Sequence, residues 1–269
     1  MTPSVPVLMY HAVGERPAPA AYGLSVSPAA FARQMEMLAE RGFTPVTTAR
    51  LGDAWRSGGR RPLPERPVLI TFDDGYEGVH RHALPVLARH GFAATVFVTT
   101  GWLRGPYDRG NALDTMLDWQ QVRELAAAGT EIGGHAHTHP QLDQLDGPRL
   151  AHETVHCRDL IARELGAAPV SFAYPYGYSD RRVRAAVRTA GFTQALAVGN
   201  ARAAPRQGPY ALRRLTVRRG TGPAEFERLL DGHALAVARN FAVDRTLTKG
   251  YAVVRRTRRA VAPARRRWA

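Results

Sequence analysis

The run Pro67-Val68-Leu69-Ile70-Thr71-Phe72-Asp73-Asp74-Gly75-Tyr76 constrains this chain most. An apolar segment of strand length ends in two adjacent carboxylates and a glycine. Burying two such charges beside a hydrophobic strand is costly unless partners offset the lost hydration. The run therefore predicts a buried strand whose end carries a metal ligand, a base, or both. Two more clusters follow. Gly133-Gly134-His135-Ala136-His137-Thr138-His139-Pro140 places His135 and His139 four residues apart, and Phe172-Ala173-Tyr174-Pro175-Tyr176-Gly177 holds an aromatic-proline turn. A carboxylate pair, a histidine pair and such a turn, in that order, are the parts of a metal-dependent hydrolase.

Around these clusters strand-like runs alternate with helical patterns. Strands are expected over residues 5–10, 43–46, 68–72, 94–99, 130–133, 170–174, 193–198 and 212–217. Ser27-Pro28 opens a helix with Phe31, Met35 and Leu38 at helical spacing, and Gly42 stops it. Further helices are expected over 48–56, 79–90 despite Pro85, 119–128 behind an Asp118 cap, 150–165 up to Gly166, 180–190 and 224–230. This alternation predicts an α/β fold with a parallel sheet and helices outside it. The pattern alone does not separate an open sheet from a barrel. Asp73, His135 and Tyr176 each follow a strand.

With 269 residues, the chain is long enough for one large domain or two small ones. Its single cysteine, Cys157, excludes an internal disulfide framework and falls in a helical pattern, where a buried, inert thiol is expected. No stretch approaches the roughly 20 apolar residues of a membrane-spanning helix. The net charge of +14 is an arginine charge, lysine occurring only at Lys249. A basic surface suits acidic glycans, anionic lipid or nucleic acid. No basic patch interleaved with aromatics lies near the motifs, so nucleic acid is not expected as a partner. Residues 1–6 show neither a basic region nor a long apolar one, so no signal peptide is visible. The expectation is a cytoplasmic protein, or one whose export segment is missing from this sequence. From Val254 the chain turns arginine-rich, with Arg255, Arg256, Arg258, Arg259 and Arg265–Arg267 around Pro263. We divide the chain into a domain over 1–232 and an extension over 233–269. The extension reads as a solvated tail or a contact for anionic membrane or glycan.

The segments TFDDGY, EIGGHAHTHPQL and FAYPYG resemble the polysaccharide deacetylase family, also called the NodB-homology or carbohydrate esterase 4 family. The opening VPVLMYH is similar to the branch around the poly-N-acetylglucosamine deacetylases. The resemblance covers roughly residues 5 to 230. It implies a distorted (β/α)7 barrel of the NodB-homology type, with the chemistry at the C-terminal strand ends. It further implies that Asp73 is the catalytic base and that Asp74, His135 and His139 hold a divalent metal. Two imidazoles and a carboxylate with open positions suit catalytic Zn²⁺, and Co²⁺, Ni²⁺ or Mn²⁺ fit the same ligands. The other reading of Asp73 is a strand-end cap or an orienter of a histidine. His137, between the ligands, is expected to point elsewhere. The backbone N–H of Tyr176 is implied as an oxyanion donor.

The chain also departs from the family pattern. Many members carry a general-acid histidine in a C-terminal Leu-x-His run, and the nearest version here is Leu230-Asp231-Gly232-His233. In the poly-N-acetylglucosamine branch an N-terminal Tyr-His supplies the acid, which assigns the role to His11. The other reading of His11 is a helper that holds a loop. Ala173 stands where the family has an arginine that orients the base, so the partner of Asp73 is unknown. Ala136 replaces a Ser or Thr that ties the histidine loop down, and Thr138 is the candidate to compensate. Trp119 is either a groove wall or a core residue opening a helix. Three functions follow: a metal-dependent N-deacetylase acting on an N-acetylated amino-sugar glycan, a deacylase of a small-molecule amide or acetyl ester, and a glycan-binding module without turnover. The intact Asp73, Asp74, His135 and His139 argue against the last.

Overall fold

The computed structural model describes residues 4–232. Eight parallel strands form one sheet: β1 (Val7–Tyr10), β2 (Thr44–Pro45), β3 (Pro67–Phe72), β4 (Thr95–Val98), β5 (Glu131–Gly134), β6 (Ser171–Ala173), β7 (Gln194–Leu196) and β8 (Leu215–Thr216). Their spatial order is β7-β6-β5-β4-β3-β1-β8, with β2 paired to the start of β3. Leu212 bridges Leu196 of β7, and three residues later Leu215 pairs with Leu8 of β1. One short segment thus touches both ends of the sheet and curls it into a distorted (β/α)7 barrel.

Alternation along the strands explains why both faces read as hydrophobic. Leu8, Tyr10, Val68, Ile70 and Phe72 join the large core under the helices. Val7, Leu69, Phe97, Ala173 and Leu196 form a separate cluster in the barrel interior. Along β3 the inward set continues as Leu69, Thr71, Asp73. This parity aims the first carboxylate into the barrel mouth. Gly133 has a steric reason as well, since a Cβ there would lie 2.6 Å from the Phe97 ring.

The helices are α1 (Pro28–Glu40), α2 (Thr48–Arg56), α3 (Leu84–His90), α4 (Trp119–Ala127), α5 (Gly147–Ala151), α6 (Cys157–Leu165), α7 (Arg181–Thr189) and α8 (Pro223–Asp231). Ser27 caps α1 by accepting from Ala30 N, and Asp118 makes a reciprocal capping box with Gln121. Two helices expected as continuous are interrupted. Residues 79–83 form a π-turn before α3, where Pro85 lacks the amide that would extend the ladder backwards. His152–His156 forms another between α5 and α6. There the Thr154 hydroxyl donates to Leu150 O and Ala151 O, competing with the backbone ladder. Cys157 is fully buried, and burial pushes its thiol up to about 12. Among the described residues no helix is long and apolar enough to cross a membrane. His233, the 233–269 extension and its arginine run lie outside the described residues.

Candidate active site

Strand ends β1, β3, β5 and β6 converge on a cavity of about 440 Å³. Asp73 lies at its floor, 2 % exposed. Arg214 holds both carboxylate oxygens, Nη1 donating to Oδ1 at 2.6 Å and Nη2 to Oδ2 at 2.7 Å. Arg214 is fully buried, and its guanidinium lies 5.8 Å from the Phe97 ring centroid. A planar fork on a carboxylate is the strong, directional form of a charged hydrogen bond. Burial by itself would push the Asp73 carboxyl up. The Arg214 guanidinium and the His135 imidazole outweigh it, and the carboxyl ends below the usual carboxylate range. Asp73 is therefore ionised at neutral pH.

Asp74 turns the other way because its backbone is left-handed, φ 73°. A non-glycine residue held there carries strain that its surroundings must support. His135 Nε2 and His139 Nε2 each lie 3.3 Å from Asp74 Oδ1. Burial opposes ionisation of Asp74, but its contacts with the two imidazoles hold it well below the usual range. His135 donates through Nδ1 to the Ala173 carbonyl at 2.8 Å, which leaves Nε2 facing the cavity. Burial lowers the His135 pKa, yet Asp73 and Asp74 outweigh it and raise the net value. Both histidines sit on a loop rather than a helix, with Ala136 at φ 63° and His139 at φ 58°. Glu153 fixes this loop. Its Oε2 accepts from His137 N and Thr138 N at 2.8 Å, and its Oε1 accepts from the Thr138 hydroxyl at 2.6 Å. Thr138 thus ties the loop that Ala136 cannot.

These residues fit a divalent ion. Asp74 Oδ1 is buried without a hydrogen-bond partner in the protein. Its separation from the two Nε2 atoms matches the edge of a tetrahedron with ligand bonds of about 2.0–2.1 Å. A neutral nitrogen pair plus one carboxylate oxygen is a donor set for a borderline transition ion.

His11 follows β1 and lines the same cavity, 9 % exposed, with Nδ1 unpartnered. Burial lowers its pKa, against the pull of Asp74 and Asp73. Tyr176, at φ 59°, forms part of the rim with a half-exposed ring 4.7 Å from that of His139. Gly177 beside it must be glycine, because its φ is 73° and a Cβ would meet Val198 at 2.6 Å. Trp119 packs in the core under the helices, 5 % exposed. The groove wall is instead Trp102, whose ring lies 4.7 Å from His139. The structure thus brings Asp73, Asp74, His135, His139, His11 and Tyr176 to one cavity. Sequence reasoning missed Arg214, Glu153 and Trp102. The one available signal for Arg214 was an arginine between Leu212 and Thr216 at an inward strand position.

Comparison with known proteins identifies the family and the fold. The polysaccharide deacetylase family model matches residues 60–195, and the chain belongs to that family. A Bacillus subtilis (strain 168) protein carrying a provisional polysaccharide deacetylase name, YxkH, is 27 % identical over 82 % of this chain and 74 % of its own length. The Escherichia coli (strain K12) poly-beta-1,6-N-acetyl-D-glucosamine N-deacetylase is 34 % identical over 42 % of this chain, a match that spans 18 % of that protein. Among solved structures, the Streptococcus pyogenes deacetylase PplD in complex with acetate superposes with a TM-score of 0.76 at 23 % identity, covering 86 % of this chain and 99 % of that one. IcaB from Ammonifex degensii gives 0.68 at 27 % identity, covering 85 % and 96 %. The family match begins after His11 and ends before Arg214.

Proposed function

We propose that this protein is a metal-dependent amidohydrolase that removes acetyl groups from N-acetylated amino-sugar units of a glycan. The observation that carries the reading is the adjacency of two differently used carboxylates. Asp73 is clamped by Arg214 and kept ionised, while Asp74 faces His135 and His139. The names of the E. coli relative and of the family support the substrate class.

In this reading Asp74, His135 and His139 hold the ion, with Zn²⁺ the first candidate. When bound, it would supply Lewis acidity toward water and the substrate carbonyl. Asp73 accepts the proton of the attacking water, its carboxylate held in one orientation by the Arg214 fork. The Tyr176 backbone N–H meets the oxygen on which negative charge develops. His11 rests neutral because burial lowers its pKa; it takes up the proton that Asp73 accepted from the water, hands it to the departing nitrogen and ends neutral again. Water and the amide are consumed, and acetate and a free amine result. Tyr176, half-exposed at the rim beside His139, offers an aromatic face to a sugar ring, while the buried Trp102 backs His139 from the other side.

The test is acetate release from β-1,6-linked N-acetylglucosamine oligosaccharides by metal-stripped protein before and after adding Zn²⁺. Zinc-dependent release is expected. Release only from small acetyl esters or amides would instead favour a small-molecule deacylase. Oligosaccharide binding without release from any substrate would leave a binding module.

A further inference from the structure

His137 takes no part in the arrangement above, although it lies between two of its residues. The left-handed turn at Ala136 sends its ring away from the cavity, and the side chain is 1 % exposed. Its Nδ1 lies 2.9 Å from the Thr100 hydroxyl, while its Nε2 is buried with no hydrogen-bond partner. A buried imidazole nitrogen without a partner is costly, and such groups call for an explanation.

Facing His137 are two histidines on the π-turn His152–His156. The first and last residues of that turn stack their rings at 4.8 Å and 15°. The His137 ring meets that of His156 edge-on at 4.6 Å and that of His152 at 5.7 Å. One donor nitrogen from each of the three lies within 4.8 Å of the other two. π-Turns inside helices recur at functional sites because they re-aim side chains.

We propose that His137, His152 and His156 form a second metal site, structural in role, for a zinc-class divalent transition ion. Three imidazoles with no carboxylate among them select Zn²⁺, Co²⁺, Ni²⁺ or Cu²⁺ over Ca²⁺ and Mg²⁺, which need oxygen donors. With Thr100 Oγ1 accepting from Nδ1–H, the lone pair of His137 Nε2 points at the ion, the usual way an outer hydrogen bond fixes a ligand histidine. His152 is exposed, so its ring is free to close the remaining gap, and water completes the shell from the solvent side. The guanidinium groups of Arg109 and Arg163 oppose a cation at this site, but both side chains reach solvent, where their charge is screened. The ion would join the same two segments that Glu153 already joins, the π-turn and the loop carrying His135 and His139. It would therefore stiffen the loop from behind without touching substrate.

The test uses untagged, metal-stripped protein titrated with Zn²⁺, with bound metal counted by elemental analysis. Wild type is expected to hold two equivalents. The pair Asp74→Ala/His139→Ala removes the site in the cavity and should keep one equivalent. The pair His152→Gln/His156→Gln, on accessible residues, should also keep one and should lose part of the rise in Tm on adding Zn²⁺. All four changes together should leave none. The proposal is overturned if folded Asp74→Ala/His139→Ala protein binds no Zn²⁺, or if its remaining equivalent survives His152→Gln/His156→Gln. The reading of the cavity fails separately, if Asp74→Ala/His139→Ala leaves the count of wild type unchanged.

Discussion

Replacing Arg214 by Met should show what the guanidinium does for Asp73. Two hydrogen bonds of 2.6 and 2.7 Å join groups that are 0 % and 2 % exposed. Removing one partner of such a buried pair costs about 3–5 kcal/mol, because the other charge is left without compensation. The same change acts on protonation. In the wild type, burial is overruled and the Asp73 carboxyl lies below its ordinary value. Its contribution to stability is therefore present above the unfolded carboxylate pKa and is lost as pH falls through the lowered folded one. Without Arg214, burial is opposed mainly by His135 and prevails, pushing the folded carboxyl above its ordinary value. The sign then reverses: a raised carboxyl favours folding at low pH and weakens it as pH climbs. The acid limb of kcat/KM should move up in pH with it, since a base must be ionised to work. Urea unfolding of the metal-free protein at neutral pH should show the stability loss, and Asp73→Asn/Arg214→Met should recover much of it. An unmoved acid limb with full stability would refute the clamp. Arg214→Lys should rescue only in part, because an ammonium is a point charge without the fork.

Three further outcomes can be measured. Asp73→Asn should keep the Zn²⁺ content of the cavity and lower kcat by roughly 10²–10⁴-fold; near-normal turnover would reduce Asp73 to a structural residue. Glu153→Ala leaves two backbone amides and the Thr138 hydroxyl without their acceptor, and should cost about 2–4 kcal/mol by chemical denaturation and weaken Zn²⁺ binding through the loosened loop. His11→Ala should slow amide hydrolysis more than hydrolysis of an activated acetyl ester, whose leaving group needs little protonation; an equal loss on both would make His11 a positioning residue.

The sequence carries the barrel and the histidine loop to different depths. Strands buried on both faces announce themselves as apolar runs, and the ends of β3, β5 and β6 fall within two residues of expectation. Capped helices are equally plain, as with Ser27 and Asp118. The two π-turns were hidden, because their causes are a missing amide at Pro85 and a hydroxyl competing at Thr154 rather than any change of periodicity. Asp73, Asp74, His135 and His139 stood out because charged or polar residues at strand ends have few structural uses. Trp102 did not, since its loop has no regular pattern from which to place the ring against His139.

Arg214 shows where local reading stops. Ala173 in the aromatic-proline run implied a base without its usual partner, yet the cost of burying Asp73 does not depend on which strand supplies the counter-charge. The barrel closes through residues 212–216, so an inward side chain on that segment reaches the same floor as one from β6. Leu212 fills the interior, Arg214 meets Asp73, and Thr216 lines the cavity. Meanwhile the vacated strand end still contributes, as the Ala173 carbonyl accepts from His135 Nδ1. The demand set by the Asp73-Asp74 pair was legible from the start; the residue that meets it lies 141 positions away and becomes visible only once the closing segment brings it across the barrel.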